Sequence, residues 1–248
     1  MNIFKFWLKM IAAFAVMLSA SAVCNVIVLV LFPFRKKIGP KLMQPIAKMV
    51  LLIFRIKVNL NHMPDVLKNN HKGVLIISNH CCSLDIPILA AVFGSLFVSK
   101  MSVLYWPMIG TFARLSGVMF LRRDKMGERL STIRNLARHI EPGMILGVFP
   151  QGTTASNKTH LPFFAGVFKV VELNSNLSML PISLDYENSD QIAWENEPLY
   201  DNAMRICSYN RINVSITAHP VLTIQDYADK GARNVSKIVE ETVLSALS

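Results

Sequence analysis

The run Gly73-Val-Leu-Ile-Ile-Ser78-Asn79-His80-Cys81-Cys82-Ser83-Leu84-Asp85-Ile86-Pro87 decides how the chain folds. Its first part is apolar and β-branched, bounded by Gly73 and by the polar pair Ser78 and Asn79, and is too short for a helix. It predicts a buried strand that delivers His80 at its C-terminal end. Asp85 stands before Ile86 and Pro87 as an N-cap stands before a proline in a first helical turn. A helix is therefore predicted to start there and to run through Leu89, Ala90 and Val92. A tight turn then joins strand to helix at the edge where open α/β sheets bind ligands. A carboxylate five residues after an imidazole reaches back across such a turn to accept its N–H. The ring is then held in one tautomer with its other nitrogen free to take a proton, which is the base-and-orienter part of a triad. A His near an Asp also reads as a surface or capping pair, so the choice rests on the rest of the chain.

Further segments continue the pattern. Phe97-Val98-Ser99-Lys100 predicts a short strand, and Gly117-Val-Met-Phe120-Leu-Arg122-Arg123 another that ends in charge. Met126, Leu130, Ile133, Leu136, Ala137 and Ile140 recur at helical spacing, and Pro142-Gly143 stops that helix; Arg129, Arg134 and Arg138 form its basic face. Met144 to Phe149 is again a buried strand, bringing Pro150, Gln151, Gly152, Thr153 and Thr154 to the edge that holds His80. Lys169 through Leu173 predicts helix, Met179 to Asp185 strand, and Arg211 to Thr217 alternates with period two as a half-exposed strand does. Ile224 to Leu247 reads as one or two closing helices.

His80-x4-Asp85, Gly117-x-x-Phe120-x-x-Arg123, Phe149-Pro150-x-Gly152-Thr153 and Leu180-Pro181 occur in the order and approximate spacing of the four motif blocks of the glycerolipid acyltransferases. The chain resembles the 1-acylglycerol-3-phosphate acyltransferase family over about residues 55 to 225. The resemblance implies an α/β domain with a mixed, mainly parallel sheet flanked by helices, behind an N-terminal membrane-anchoring helical segment. It implies acyl transfer from acyl-CoA or acyl carrier protein to a lysolipid hydroxyl, with 1-acylglycerol-3-phosphate first among acceptors and phosphatidic acid as product. His80 would be the general base and Asp85 its orienter. Arg123 would contact the acceptor phosphate, for which a planar guanidinium offers a two-pronged fork. Gly117, Phe120, Lys100, Gly152 and Thr153 would complete the acceptor site, the last two by presenting backbone N–H groups to an anion. Pro181 would shape the acyl-donor pocket. The scheme uses no metal and no cofactor beyond the donor.

The chain departs from its family in the third block, which ordinarily reads Phe-Pro-Glu-Gly-Thr-Arg. Here Gln151 replaces the glutamate and Thr154 the arginine. Losing the arginine removes a phosphate clamp, for which Lys158 and Lys169 are the candidate replacements, and brings another acceptor, a lyso-ornithine lipid or a lysophospholipid, close behind. Gln for Glu removes a charge while keeping shape and hydrogen bonding, and is expected to leave the His80–Asp85 pair untouched. Two other classes compete: a thioesterase or lipase-like hydrolase using Cys81, Cys82 or Ser83 as nucleophile, and a lipid-binding membrane protein without catalysis.

Composition points to a membrane. Of 248 residues, 52% are hydrophobic and only 17% charged, more apolar than an ordinary soluble domain. The net charge of +10 attracts polyanions, and with no nucleic-acid-binding pattern present the partner is lipid rather than nucleic acid. Residues 10 to 34 carry no charge, with Lys5 and Lys9 before them and Arg35, Lys36 and Lys37 after. About 20 apolar residues suffice to cross a bilayer. A signal peptide cut near Ser19 to Ala22 is the rival reading, but the apolar run continues to Phe34. The heavier flank at 35 to 37 favours a catalytic part on the cytoplasmic face, though Lys5 and Lys9 blur the asymmetry, and the expected membrane is a bacterial inner membrane. The chain is expected to turn at Pro33 and again at Gly39-Pro40, after which Met43, Ile46, Ala47, Val50, Leu51 and Phe54 recur at helical spacing. Residues 1–57 thus read as anchor, of one or two helices, and 58–248 as the acyltransferase domain. Cys24, Cys81, Cys82 and Cys207 show no metal or disulfide spacing.

Overall fold

The computed structural model describes residues 3–30, 35–68, 73–105, 110, 113–114, 118–121, 128–174, 176–195, 197–227 and 229–248. Among them one sheet contains β1 (Ile56–Leu60), β2 (Gly73–Ser78), β3 (Leu96–Lys100), β4 (Met119–Leu121), β5 (Ile145–Val148), β6 (Leu177–Tyr186) and β7 (Ile212–Ala218). The spatial order is β1-β7-β6-β2-β5-β3-β4. Every neighbouring pair is parallel except β6 and β7, so the sheet is mixed and mainly parallel, as the resemblance implies. The longer helices are α1 (Ile3–Val30), α2 (Arg35–Ile53), α3 (Asp85–Phe93), α4 (Glu128–His139), α5 (Leu199–Ser208) and α6 (Gly231–Leu244).

β2 is the central strand and every residue of it is buried, the pattern of a parallel strand covered on both faces. Its period-two alternation divides the core. Val74 and Ile76 join Ile88, Leu89 and Phe93 of α3, while Leu75 and Ile77 join Leu136 and Ala137 of α4 and Val235, Val239 and Val243 of α6. Pairing of Ile77 with Val148 and with Pro181 sets the ends of β5 and β2, and the middle of β6, side by side. That register brings the segments after β2 and β5 together.

Two local expectations differ. Asp85 is the first residue of α3 rather than its N-cap; Leu84 precedes it in right-handed helical geometry with no side-chain cap, and the Asp85 carboxylate turns back to the preceding turn. The turn expected at Gly39-Pro40 does not form, because α2 runs through it and through Pro45 as well. A proline in a helix costs a hydrogen bond. In α2 that cost is offset by tertiary packing: Ala47 and Phe54 are buried, Met43, Ile46, Val50 and Leu51 half-buried, and Gln44 Nε2 donates to Ala91 O of α3 at 3.1 Å.

Phe6–Ile27 is long and apolar enough to cross a membrane, with 12% of its most apolar window buried inside the protein. Trp7, Leu8, Ile11, Phe14, Val26 and Leu29 face outward. The start of α1 is nevertheless seated on α5. The Phe6 ring packs edge-on against Tyr200 at 5.4 Å, and Lys9 Nζ donates to Cys207 O at 2.9 Å and Tyr209 O at 2.8 Å, carbonyls at the end of α5 where a cation is favoured.

Candidate active site

His80 leaves the end of β2 and Asp85 opens α3, and the turn between them folds the carboxylate onto the ring. His80 Nδ1 lies 2.6 Å from Asp85 Oδ2. A carboxylate accepts only, so Nδ1 carries the proton and, in the neutral ring, Nε2 is the acceptor nitrogen. Asp85 is completely buried; the His80 side chain is 17% exposed. Among the described residues nothing hydrogen-bonds Nε2. The same Oδ2 accepts from the backbone N–H groups of Cys81 at 2.6 Å and Cys82 at 3.0 Å, so the turn is folded around the carboxylate. The other oxygen, Oδ1, accepts from Tyr186 Oη at 2.5 Å at the end of β6. Burial above all, and then the Asp85 charge, push the Tyr186 phenol well up, so it stays a donor.

The imidazole is stacked on Phe149, with centroids 4.0 Å apart and planes 10° from parallel, and Phe149 stacks in turn on Phe97 at 5.6 Å. Gly147 makes room for this layer, since a β-carbon there would lie 2.4 Å from the Phe97 ring. Phe149 begins the loop after β5, and that loop holds His80 from its backbone side. Gln151, 6% exposed, accepts from His80 N–H at 2.7 Å through Oε1, and Ala155 N–H donates to His80 O at 2.9 Å. The exchange of Glu for Gln therefore touches the histidine directly, contrary to expectation, but keeps an acceptor where one is needed. Asn79 ties the end of β2 to β6, accepting from Leu184 N–H at 2.8 Å and donating to Leu184 O at 2.9 Å.

Thr154, at the position of the missing arginine, donates its hydroxyl to Trp194 O at 2.5 Å. Trp194 belongs to a strap after the helical turn Ser189–Ile192. Its N–H donates to Cys81 O at 3.0 Å, and Glu195 accepts from Ser156 N–H at 2.6 Å, so the strap joins both site loops. Gly152, at φ +72, spends its N–H on Phe149 O at 3.2 Å; Thr153 is exposed beside it. Lys158 pairs with Asp190, and Lys169 is exposed. Phe120 lies on β4 beside Ser99, Lys100 ends β3, and Pro181 is buried within β6. Gly117 and Arg123 lie outside the described residues. Both candidate thiols are fully buried, and the Cys81 thiol is pushed up by its hydrogen bond with Cys82, by burial and by Asp85, which opposes the thiolate a nucleophile needs. Among the described residues no cluster of His, Cys, Asp and Glu could hold a metal. Tyr186, Trp194 and the ties that Asn79 makes to β6 escaped the sequence reading. Only Asn79, polar and adjacent to His80, offered a local signal.

A likeness in fold comes from the crystal structure of the 1-acyl-sn-glycerophosphate acyltransferase of Thermotoga maritima, which superposes with a TM-score of 0.73 at 16% identity over 98% of this chain and 93% of that one. In sequence, the chain is 34% identical over 113 residues to a lyso-ornithine lipid O-acyltransferase of Pseudomonas aeruginosa, covering 46% of this chain and 43% of that protein. It is 29% identical over 114 residues to a 1-acyl-sn-glycerol-3-phosphate acyltransferase of Neisseria gonorrhoeae, covering 46% and 44%. The matched parts span less than half the length of these two relatives. The family model described as Acyltransferase matches residues 55–185, more than half of the chain and the whole of the His80–Asp85 turn, its aromatic platform and the loop that holds it; on that match the chain belongs to the acyltransferase family.

Proposed function

We propose that the chain is a membrane-held O-acyltransferase that moves a fatty acyl group from acyl-CoA or acyl carrier protein to the hydroxyl of a lysolipid, 1-acylglycerol-3-phosphate first. The observation that carries this reading is the imidazole locked through Nδ1 to a buried carboxylate, with Nε2 left without a partner among the described residues. Nε2 takes the acceptor hydroxyl proton as the oxygen attacks the thioester carbonyl. The tetrahedral intermediate collapses with cleavage of the C–S bond, and the imidazolium returns its proton to the departing thiolate. Asp85 holds the tautomer and offsets the positive charge on the ring. No acyl-enzyme is required, since the thioester is already activated. Arg123 and Lys100, with Gly117, Phe120, Gly152 and Thr153, take the acceptor headgroup, and Pro181 borders the donor chain. The outward apolar side chains of α1 support attachment to a membrane, and the basic residues Arg35, Lys36 and Lys37 that follow it favour a cytoplasmic catalytic side.

A lyso-ornithine lipid is the second acceptor, favoured by Thr154: its hydroxyl is spent on Trp194 O, so this position supplies no phosphate clamp. The test is acyl transfer by wild type and His80→Ala over a panel of lysolipids with both donors. Wild type is expected to acylate 1-acylglycerol-3-phosphate best, and His80→Ala to lose on the order of 10²–10⁴-fold. A higher rate with lyso-ornithine lipid reassigns the acceptor. A trapped acyl-enzyme identifies a hydrolase, and no turnover of any lysolipid leaves a lipid-binding protein.

A further inference from the structure

Asp85 is buried with a negative charge that, among the described residues, no lysine or arginine meets. Its two oxygens are held differently. Oδ2 receives three donors, all from the turn itself: His80 Nδ1 and the N–H groups of Cys81 and Cys82. Oδ1 receives one, the Tyr186 hydroxyl, from a strand 101 residues away in sequence. Tyr186 is 1% exposed and closes β6, whose residues are otherwise buried up to Asp185. Its oxygen is approached in turn by the Cys82 thiol at 3.8 Å, a weak donor in a chain Cys82 to Tyr186 to Asp85. The tyrosine thus fixes the plane of the carboxylate against the rigid sheet, where the turn alone would let it rotate about its Oδ2 contacts.

We infer that Tyr186 is a positioning residue for acyl transfer, acting through Asp85 to aim the His80 imidazole and to set how much negative charge the carboxylate presents to it. This rests on the acyl-transfer reading. A donor on Oδ1 draws charge from the carboxylate; removing it leaves more charge facing the ring, which then keeps its proton to higher pH. The phenol does not touch the reacting atoms. Cys82, which the proposed chemistry leaves idle, takes its place as the partner that satisfies the tyrosine oxygen.

The test compares wild type, Tyr186→Phe and a protein with 3-fluorotyrosine at position 186, which keeps ring and hydroxyl but donates more strongly. For Tyr186→Phe, kcat is expected to fall about ten- to a hundredfold with KM within about twofold. The acidic limb of its pH–rate profile moves up by about half a unit or more, and that of the fluorinated protein moves down. A packing role produces no such opposite movement. Unchanged limbs with kcat within about twofold of wild type overturn the inference. Should Tyr186→Phe fail to fold, the fluorinated protein decides by the direction of its limb. Should wild type acylate no lysolipid, the acyl-transfer reading fails by itself. The downfield Nδ1–H proton resonance of His80 then decides the Tyr186–Asp85–His80 coupling: displaced in the variants if it exists, and unmoved if it does not.

Discussion

Gln151 shows how a single side chain serves a catalytic residue without entering its chemistry. Its buried carboxamide oxygen takes the His80 backbone N–H at 2.7 Å. A buried N–H left without an acceptor costs about 1–3 kcal/mol. Gln151→Leu is therefore expected to lower stability by about that amount and to loosen His80, while Gln151→Glu, which keeps an oxygen at the same distance, stays folded and active. Thermal melts paired with transfer rates check both; equal melting of Leu and wild type would show that the bond contributes nothing. At this scale His80 and Asp85 were legible in the sequence because they meet across five residues of one turn. Tyr186 was not, since it reaches Asp85 only through the parallel pairing of β6 with β2, and nothing in Leu-Asp-Tyr marks it as different from any strand end.

The strap from Ala193 to Glu197 depends on α5 rather than on the sheet. Asn202, fully buried, donates to Ile192 O at 3.1 Å, Ala193 O at 3.2 Å and Glu197 Oε1 at 3.1 Å. Arg205 grips Glu197 with both terminal guanidinium nitrogens, 2.7 Å for the Nη1 contact, and also donates to Ala193 O at 2.8 Å; that grip holds the Glu197 carboxyl below its ordinary range. Since the strap in turn holds Cys81 O and Thr154, a change in α5 should be felt at His80. Asn202→Ala is expected to cost about 1–3 kcal/mol in chemical denaturation and to lower transfer, although it touches neither loop of the site. Full activity in a correctly destabilised variant would show the strap to be a passive cover. The elements read correctly from sequence had either a clear period, as α2, α4 and β7 do, or a short apolar run bounded by polar or turn residues, as β2, β5 and β6 do. β1 and α5 went unread. β1 gains its place only by pairing with β7 from the far end of the chain, and the residues around α5 contain no motif.

At the scale of the whole molecule, the N-terminal helices form a hairpin fastened to the domain at both ends. α1 has 28 residues, or about 42 Å of rise, enough to cross about 30 Å of hydrocarbon. Yet Lys9 is bonded to the end of α5, and after the hairpin Gln44 is bonded to α3. From Arg35 to Gln44 the rise is only about 14 Å, too short to return across a bilayer. A helix crossing the membrane would carry its N-terminus to the face opposite the domain and break the Lys9 contacts. With these contacts kept, the helix pair is expected to enter and leave one leaflet, the exposed Trp7, Leu8, Ile11 and Phe14 being the side chains that would reach the acyl region. Lys9, which reads from sequence as a flanking charge of a span, acts here as a partner for helix carbonyls. Tags on the N- and C-termini, probed by protease in sealed vesicles of known orientation, are expected to be cut from the same side. Cutting from opposite sides would mean that α1 crosses and that its seat on α5 does not persist in the membrane.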